Sequence, residues 1–458
     1  MCLSIARKSI ARKVCLALSW AMLLLVVSSC SSGNAHYTIG GTVTGLSGSG
    51  LTGSVVLQNN GADNLTVSAN GTFTFASTIM ANAFTLANYN VTVLTQPLGQ
   101  ICTVSSGSGE ATANVTSVLV SCANPAASLN AYVANAGSNT LAQYTIGAGG
   151  ALPASPTTSA ATGVAPAALA IDAAGQYVYV ANYGNNTLGQ YAIGTAGALP
   201  SVATASVATS MSPAAVAIDP TGQYVYVTNH GGDTLAQYTI GTGGILSPTP
   251  ATSASTGSKP NSVTVDPSGK YVYVTNYGSN TLSQYTLGAA GALPASPTTT
   301  AATGNSPTSV AIDPSGRYVY VTNFGDNTLS QYTLGTAGAL PASPTTTAAT
   351  DTSPTSATID PTGQYVYVTN AVSSTLSQYT LGAGGALPAS PTTSVSTGAG
   401  TSPNSVMIDS SGQYVYVANY ANNTISQFII GAGGALPASA AITVSTGGTS
   451  PVAIVLTK

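Results

Sequence analysis

A spacing of 47 residues constrains this chain more than any other feature. The Asn that closes a Tyr-Val-(Thr/Ala)-Asn motif falls at Asn135, Asn182, Asn229, Asn276, Asn323, Asn370 and Asn419, five steps of 47 and one of 49. A second marker keeps the same phase: Tyr144, Tyr191, Tyr238, Tyr285, Tyr332, Tyr379 and Phe428. Two markers with one period define a repeat array over residues 128–458. Such units cannot bury their apolar faces alone and must stack on their neighbours.

Each unit reads as four strands. In the unit around residue 320, Val310-Ala-Ile-Asp is the first and Asp313-Pro-Ser-Gly a tight turn. Tyr318-Val-Tyr-Val-Thr is the second strand, and Asn323 opens a loop. Thr328 to Leu334 is the third strand, Gly335 to Gly338 a turn, and Ala339 to Thr347 a weaker outer strand. The second strand is apolar on both faces, so both must be covered. Four strands per 47 residues, each set lying between two neighbours, match the blade of a β-propeller. A parallel β-helix is the alternative, but its rungs are shorter. The array begins mid-unit, at Leu129-Asn-Ala-Tyr-Val-Ala-Asn, and ends on a lone first strand, Ser450-Pro-Val-Ala-Ile-Val-Leu. One end supplies what the other lacks, so the last strand should complete the first blade and leave no open edge. The expected fold is all-β, a seven-bladed propeller with four-stranded blades, preceded by a small β-sandwich.

The second strands read YVYVTN at 224–229, 271–276, 318–323 and 365–370, and YVYVAN at 177–182 and 414–419. This resembles the YVTN β-propeller family, related in fold to lactonase-type seven-bladed propellers that include 6-phosphogluconolactonase-like proteins. The resemblance covers about 330 residues and implies the fold far more strongly than an activity, because one scaffold hosts many functions.

The N-terminus reads as a leader. Arg7 to Lys13 is basic, Val14 to Val27 is apolar, and the stretch ends Val27-Ser28-Ser29-Cys30. The order of these segments fits a signal peptide over 1–29, and its end resembles a bacterial lipobox. That implies cleavage before Cys30, lipidation of its thiol and anchoring in the cell envelope. Ser31 after Cys30 implies the outer membrane. A tether over 30–35 leads to alternating apolar runs over 36–124, which resemble an immunoglobulin-like sandwich acting as a spacer. Cys102 and Cys122 remain as a pair in an oxidising compartment, and a bridge is expected between them. Closing a loop of that size contributes about 3 kcal/mol in the chain-entropy model.

Charged residues are only 4% of the chain, against about 25% in ordinary globular proteins. Beyond Cys30 there are four basic residues, Lys259, Lys270, Arg317 and Lys458, against eleven acids, a formal charge of −7. No basic cluster exists to hold nucleic acid.

Six acids recur at one place, Asp172, Asp219, Asp266, Asp313, Asp360 and Asp409. Each precedes a Gly three residues on, as expected of Asp at the first position of a type I turn. They are therefore read as structural, with no metal site and no cofactor. The motif Asn residues are read as loop openers that tolerate tight backbone geometry, and the Gln-Tyr pairs as blade packing. His36 and His230 are the only histidines, and the acids of the repeat array outside the turn motif are Asp233, Asp326 and Asp351. No nucleophile–base set or phosphate loop is recognisable, so no catalytic residue is assigned. Lactonase-type propellers use charged residues in a cleft at the ring mouth, and no motif here maps onto them.

One position breaks the sameness of the repeat. After the motif Asn stand Ala136, Tyr183, His230, Tyr277, Phe324, Ala371 and Tyr420. Tyr183, His230, Tyr277, Phe324 and Tyr420 form a candidate ligand rim for a glycan or protein partner, with capping of blade junctions as the structural reading. The sequence reading therefore favours a monomeric, lipid-anchored, non-enzymatic binding or envelope scaffold. A lactonase-type hydrolase is the alternative, and a redox protein is third.

Overall fold

In the computed structural model the described residues are 35–46, 54–81, 86–95, 101–123, 129–147, 150–194, 197–241 and 244–457. The leader, Cys30 and most of the tether lie outside them. The chain divides into two compact units, residues 1–124 and 125–458.

In the first unit, one sheet joins Gly71–Thr74, Ile39–Thr44, Val115–Ala123 and Ile101–Ser105, in that spatial order. A second joins Asp63–Val67, Val55–Asn59, Asn88–Thr95 and Ser108–Glu110. Both contribute to one core that includes Ile39, Val43, Leu57, Phe73, Val91 and Val120. A short pair, Ala35–Tyr37 with Ile79–Ala81, lies beside them, so Ala35 belongs to a strand. Cys102 and Cys122 are directly paired across neighbouring strands and joined by a disulfide.

The second unit is seven four-stranded sheets. Blade 5 shows the pattern: Pro307–Ile312, Tyr318–Asn323, Thr328–Thr333 and Thr346–Ala349, antiparallel throughout. Tyr320, Val319 and Val321 are fully buried, which is why both faces of this strand are apolar. Pro307 heads the first strand, where its missing N–H costs no ladder bond. The outer strand starts later than the sequence suggested. Pro341 and Pro344 cannot donate to a ladder, and Leu340 is buried instead among residues of blades 4 and 5.

The ends of the array meet as expected. Pro451–Leu456 pairs with Asn130–Asn135, Ala131 opposite Leu456, and becomes the first strand of blade 1. Each first strand packs on the next, and Pro451–Leu456 packs on those of blades 2 and 7, closing a ring of seven.

Adjacent blades are latched twice. A second-strand Tyr donates its hydroxyl to the third-to-fourth-strand loop of the next blade, as Tyr224 does to Ala290 O at 2.5 Å. The fit requires glycine: Gly338 has φ +72°, and a Cβ there would lie 2.5 Å from the Tyr271 ring. The buried Gln of the third strand adds a bond, Gln331 Nε2 to Tyr320 Oη at 2.9 Å and to Gly385 O at 2.7 Å. The Gln-Tyr pairs thus work between blades as well as within them.

Candidate functional site at the loop face

Pro307 pairs with Asn323, so the start of the first strand and the end of the second lie at the same end of a blade. One face of the ring therefore carries the second-to-third-strand loops together with the crossovers between blades. The Asp-Gly turns lie on the other face.

Those turns absorb the recurrent acids. Asp313 Oδ1 accepts the N–H groups of Arg317 and Tyr318 at 2.7 and 2.6 Å, and Oδ2 accepts that of Ser315 at 3.0 Å. Such saturation leaves little capacity for a ligand. Asp172, followed by alanines, keeps only the bonds to Gln176 and Tyr177, both 2.7 Å. It borders a cavity of about 500 Å³ that Tyr177, Gln176, Thr221 and Gln223 help to line. Among the described residues, no group of three or more His, Cys, Asp or Glu side chains is placed to hold a metal ion.

The motif Asn residues act differently from the sequence reading. Asn323 is a paired strand residue, not a loop opener, and its Nδ2 donates to Thr328 Oγ1 at 3.0 Å and Ser330 Oγ at 2.9 Å. The left-handed residue is four positions on, at Asn139, Asn186, Asp233, Asn280, Asn327, Ser374 and Asn423. The Asn or Asp side chain there reaches the next blade: Asn186 Oδ1 accepts Ser212 N–H at 2.7 Å, and Asp233 Oδ1 accepts Lys259 N–H at 2.7 Å. These clasps hold Ala165, Ser212, Lys259, Ser306, Ser353 and Ser450, each just before a first-strand Pro, in the left-handed region, with φ from 49 to 62°. That costs energy for a residue with a Cβ and persists only where the surroundings enforce it.

The three irregular acids prove to be loop fasteners. Asp233 takes the clasp position. Asp326 accepts Asn305 N–H and Nδ2–H, both at 2.7 Å, and Asp351 accepts from Thr375 Oγ1 at 2.6 Å.

The proposed rim residues all sit on this face. Tyr183 and Tyr420 are 40% and 45% exposed, while His230, Tyr277 and Phe324 are half-buried. Tyr183 and His230 of adjacent blades touch, with centroids 6.1 Å apart. The loop that carries His230 also holds Lys259, which the sequence reading had left unassigned: Asp233 of that loop accepts the Lys259 backbone N–H at 2.7 Å. Burial first, and then the Lys259 ammonium, hold His230 below its ordinary pKa, while the Pro260 carbonyl and Asp233 pull the other way. The imidazole is therefore neutral near pH 7, and its buried Nδ1 has no hydrogen-bond partner. A neutral imidazole beside a cation can take a proton while the cation meets developing negative charge. The signal for Lys259 was present: the equivalent residues are Ala165, Ser212, Ser306, Ser353, Ser402 and Ser450, none charged.

A propeller ring with these loops falls into a defined class, and the chain belongs to the lactonase family of seven-bladed β-propellers, whose profile matches residues 52–210 and 127–390. Among solved structures it is similar to the Pseudomonas aeruginosa periplasmic gluconolactonase PpgL, with TM-score 0.63 and 18% identity over 72% of this chain and 99% of that one. A Bacteroides fragilis propeller, provisionally assigned as a 6-phosphogluconolactonase, matches with TM-score 0.62 and 19% identity over 73% and 99%. No curated protein matches the sequence. The family match overturns the expectation of a non-enzymatic scaffold. That expectation rested on finding no convergent charges in the sequence, but His230 and Lys259 converge only through the crossover between blades.

Proposed function

We propose that this protein is a lactone hydrolase working at the loop face. The observation that carries the reading is the lactonase-family match at residues 52–210 and 127–390, and the His230–Lys259 pair gives it a chemistry. His230, whose Nδ1 is buried, takes a proton from water at Nε2 as the water oxygen bonds to the lactone carbonyl carbon. The Lys259 ammonium faces the negative charge that develops on the carbonyl oxygen. The ring C–O bond then breaks, and the departing oxygen takes the proton back from His230 to give a hydroxy acid.

The test is proton release from glucono-δ-lactone and δ-valerolactone by the purified chain. Alanine stands at the His230 position in blades 1 and 6, as Ala136 and Ala371, and serine at the Lys259 position in five blades. His230→Ala and Lys259→Ser should therefore fold normally. Loss of the base should reduce kcat by about 10²- to 10⁴-fold. Hydrolysis no faster than buffer, or turnover indifferent to both variants, overturns the reading.

We also propose that Cys30 is lipidated and anchors the enzyme in the outer membrane. Cys30→Ser should abolish palmitate labelling and leave the precursor uncleaved. Membrane fractionation of that variant at mature size would count against an anchor at Cys30.

A further inference from the structure

The mouth of the ring is two-sided. In blades 4 to 7 the second residue of the first strand is Asn261, Thr308, Thr355 or Asn404, and each donates to a carbonyl in the next blade's first strand at 2.9 to 3.3 Å. In blades 1 to 3 that position holds Val452, Ala167 and Ala214.

The division continues into the crossovers. Two residues before the first-strand Pro stand Val164 in blade 2 and Met211 in blade 3, 52% and 58% exposed. The equivalent residue in blade 4 is Ser258, and every other blade carries Asn or Thr there. Val164 packs against Gly184 and Met211 against Gly231, so each side chain lies over the loop beside it. The Tyr183–His230 contact joins the two loops into one apolar arc. His230 and Lys259 stand where that arc meets the polar one, since Lys259 precedes Pro260 at the head of blade 4.

Charge narrows the ligand further. Among the described residues Lys259 is the one cation on this face, because Lys270 and Arg317 head second strands on the turn face. A phosphorylated ligand calls for clustered Arg or Lys donors, and a body of charge −7 disfavours anions. Contiguous exposed aliphatic side chains mark an interaction surface.

We infer, resting on the hydrolase reading, that the substrate is a neutral lactone bearing an alkyl or aryl substituent. The substituent lies over Val164 and Met211, and the ester and any hydroxyls face the polar arc. This arc then sets specificity, and the protein is not a sugar-phosphate lactonase.

The experiment compares kcat/KM of the full chain for δ-decalactone, δ-valerolactone, glucono-δ-lactone and phosphorylated gluconolactone. It is repeated with Val164→Ser/Met211→Ser, which installs the residue blade 4 already carries. The alkyl lactone should be preferred over δ-valerolactone by about tenfold or more, the phosphorylated lactone should be poorest, and the double variant should lose most of the alkyl preference. A best rate on the phosphorylated lactone, or an alkyl preference unchanged in the double variant, overturns the inference while leaving hydrolysis standing. If no lactone turns over, the hydrolase reading falls, and calorimetry with the non-hydrolysable alkyl δ-lactam decides the arc separately. Binding lost in the double variant supports the arc as a ligand surface; absent or unchanged binding overturns it.

Discussion

Tyr238 of blade 3 donates its phenol hydrogen to the carbonyl oxygen of Ala208, the last strand residue of blade 2, at 2.8 Å. The same bond joins Tyr191 to Ala161, Tyr285 to Ser255, Tyr332 to Ala302 and Tyr379 to Ala349, and Tyr144 closes the ring by reaching Ser445 in blade 7. Blade 7 fills the place with Phe428, fully buried and lacking the hydroxyl. Tyr238→Phe should therefore fold, keep its packing and lose about 1 kcal/mol in denaturant unfolding, the net worth of one such bond. A loss several times larger would mean that the latches act as a cooperative set.

These phenols also set the alkaline limit of the ring. Burial pushes Tyr191 and Tyr238 up to about 12, and Tyr144, Tyr226, Tyr273, Tyr285, Tyr320 and Tyr332 are raised as well. Unfolded phenols titrate near 10. The stability they contribute is complete below about pH 10 and is lost as pH rises towards the folded values, because the unfolded state releases protons that the folded state retains. Alkaline unfolding should be abrupt, with phenolate absorbance rising together with loss of β-structure. Gradual phenol titration in a folded protein would contradict this.

Ring closure depends on the ten C-terminal residues. Deleting residues 449–458 removes the inner strand of blade 1 and exposes the ladder edge of Asn130–Asn135, a strand buried along its length. Unpaired apolar edges aggregate. The truncated chain should precipitate or melt without a cooperative transition. A soluble truncation with an unchanged melting curve would mean that the closing strand does not hold the ring.

The parts legible in the sequence were those that repeat within one unit. YVYVTN announced a strand covered on both faces, and Ser450-Pro-Val-Ala-Ile announced the missing strand of blade 1. What stayed hidden joins units. Asn186 and Ser212 are 26 residues apart, and nothing in either marks the bond, because the clasp arises only when one blade is stacked on the next. The mouth was obscured in the same way. His230 stood out as an irregular residue, but Lys259 lies beyond a whole outer strand from it. The Pro-rich stretch around Leu340 resembles an outer strand in sequence, but its prolines cannot pair and Leu340 is buried against neighbouring strands instead.

Asp233 separates the loop architecture from the chemistry. It holds Lys259 N–H from a position that carries Asn in five other blades, as Asn139, Asn186, Asn280, Asn327 and Asn423. Asp233→Asn keeps the acceptor oxygen and the tolerated backbone geometry, so the melting temperature should barely move. It removes the one nearby carboxylate that favours the His230 imidazolium, so the His230 pKa should drop further. Hydrolysis needs the neutral ring and is lost as pH falls through that pKa. The acid limb of kcat/KM should therefore move to lower pH in the variant, with the plateau near neutrality retained. If activity vanishes across the whole range while the fold is intact, Asp233 itself is the base and His230 is not. If the limb stays where it was, another group controls it, and the role assigned to His230 is wrong.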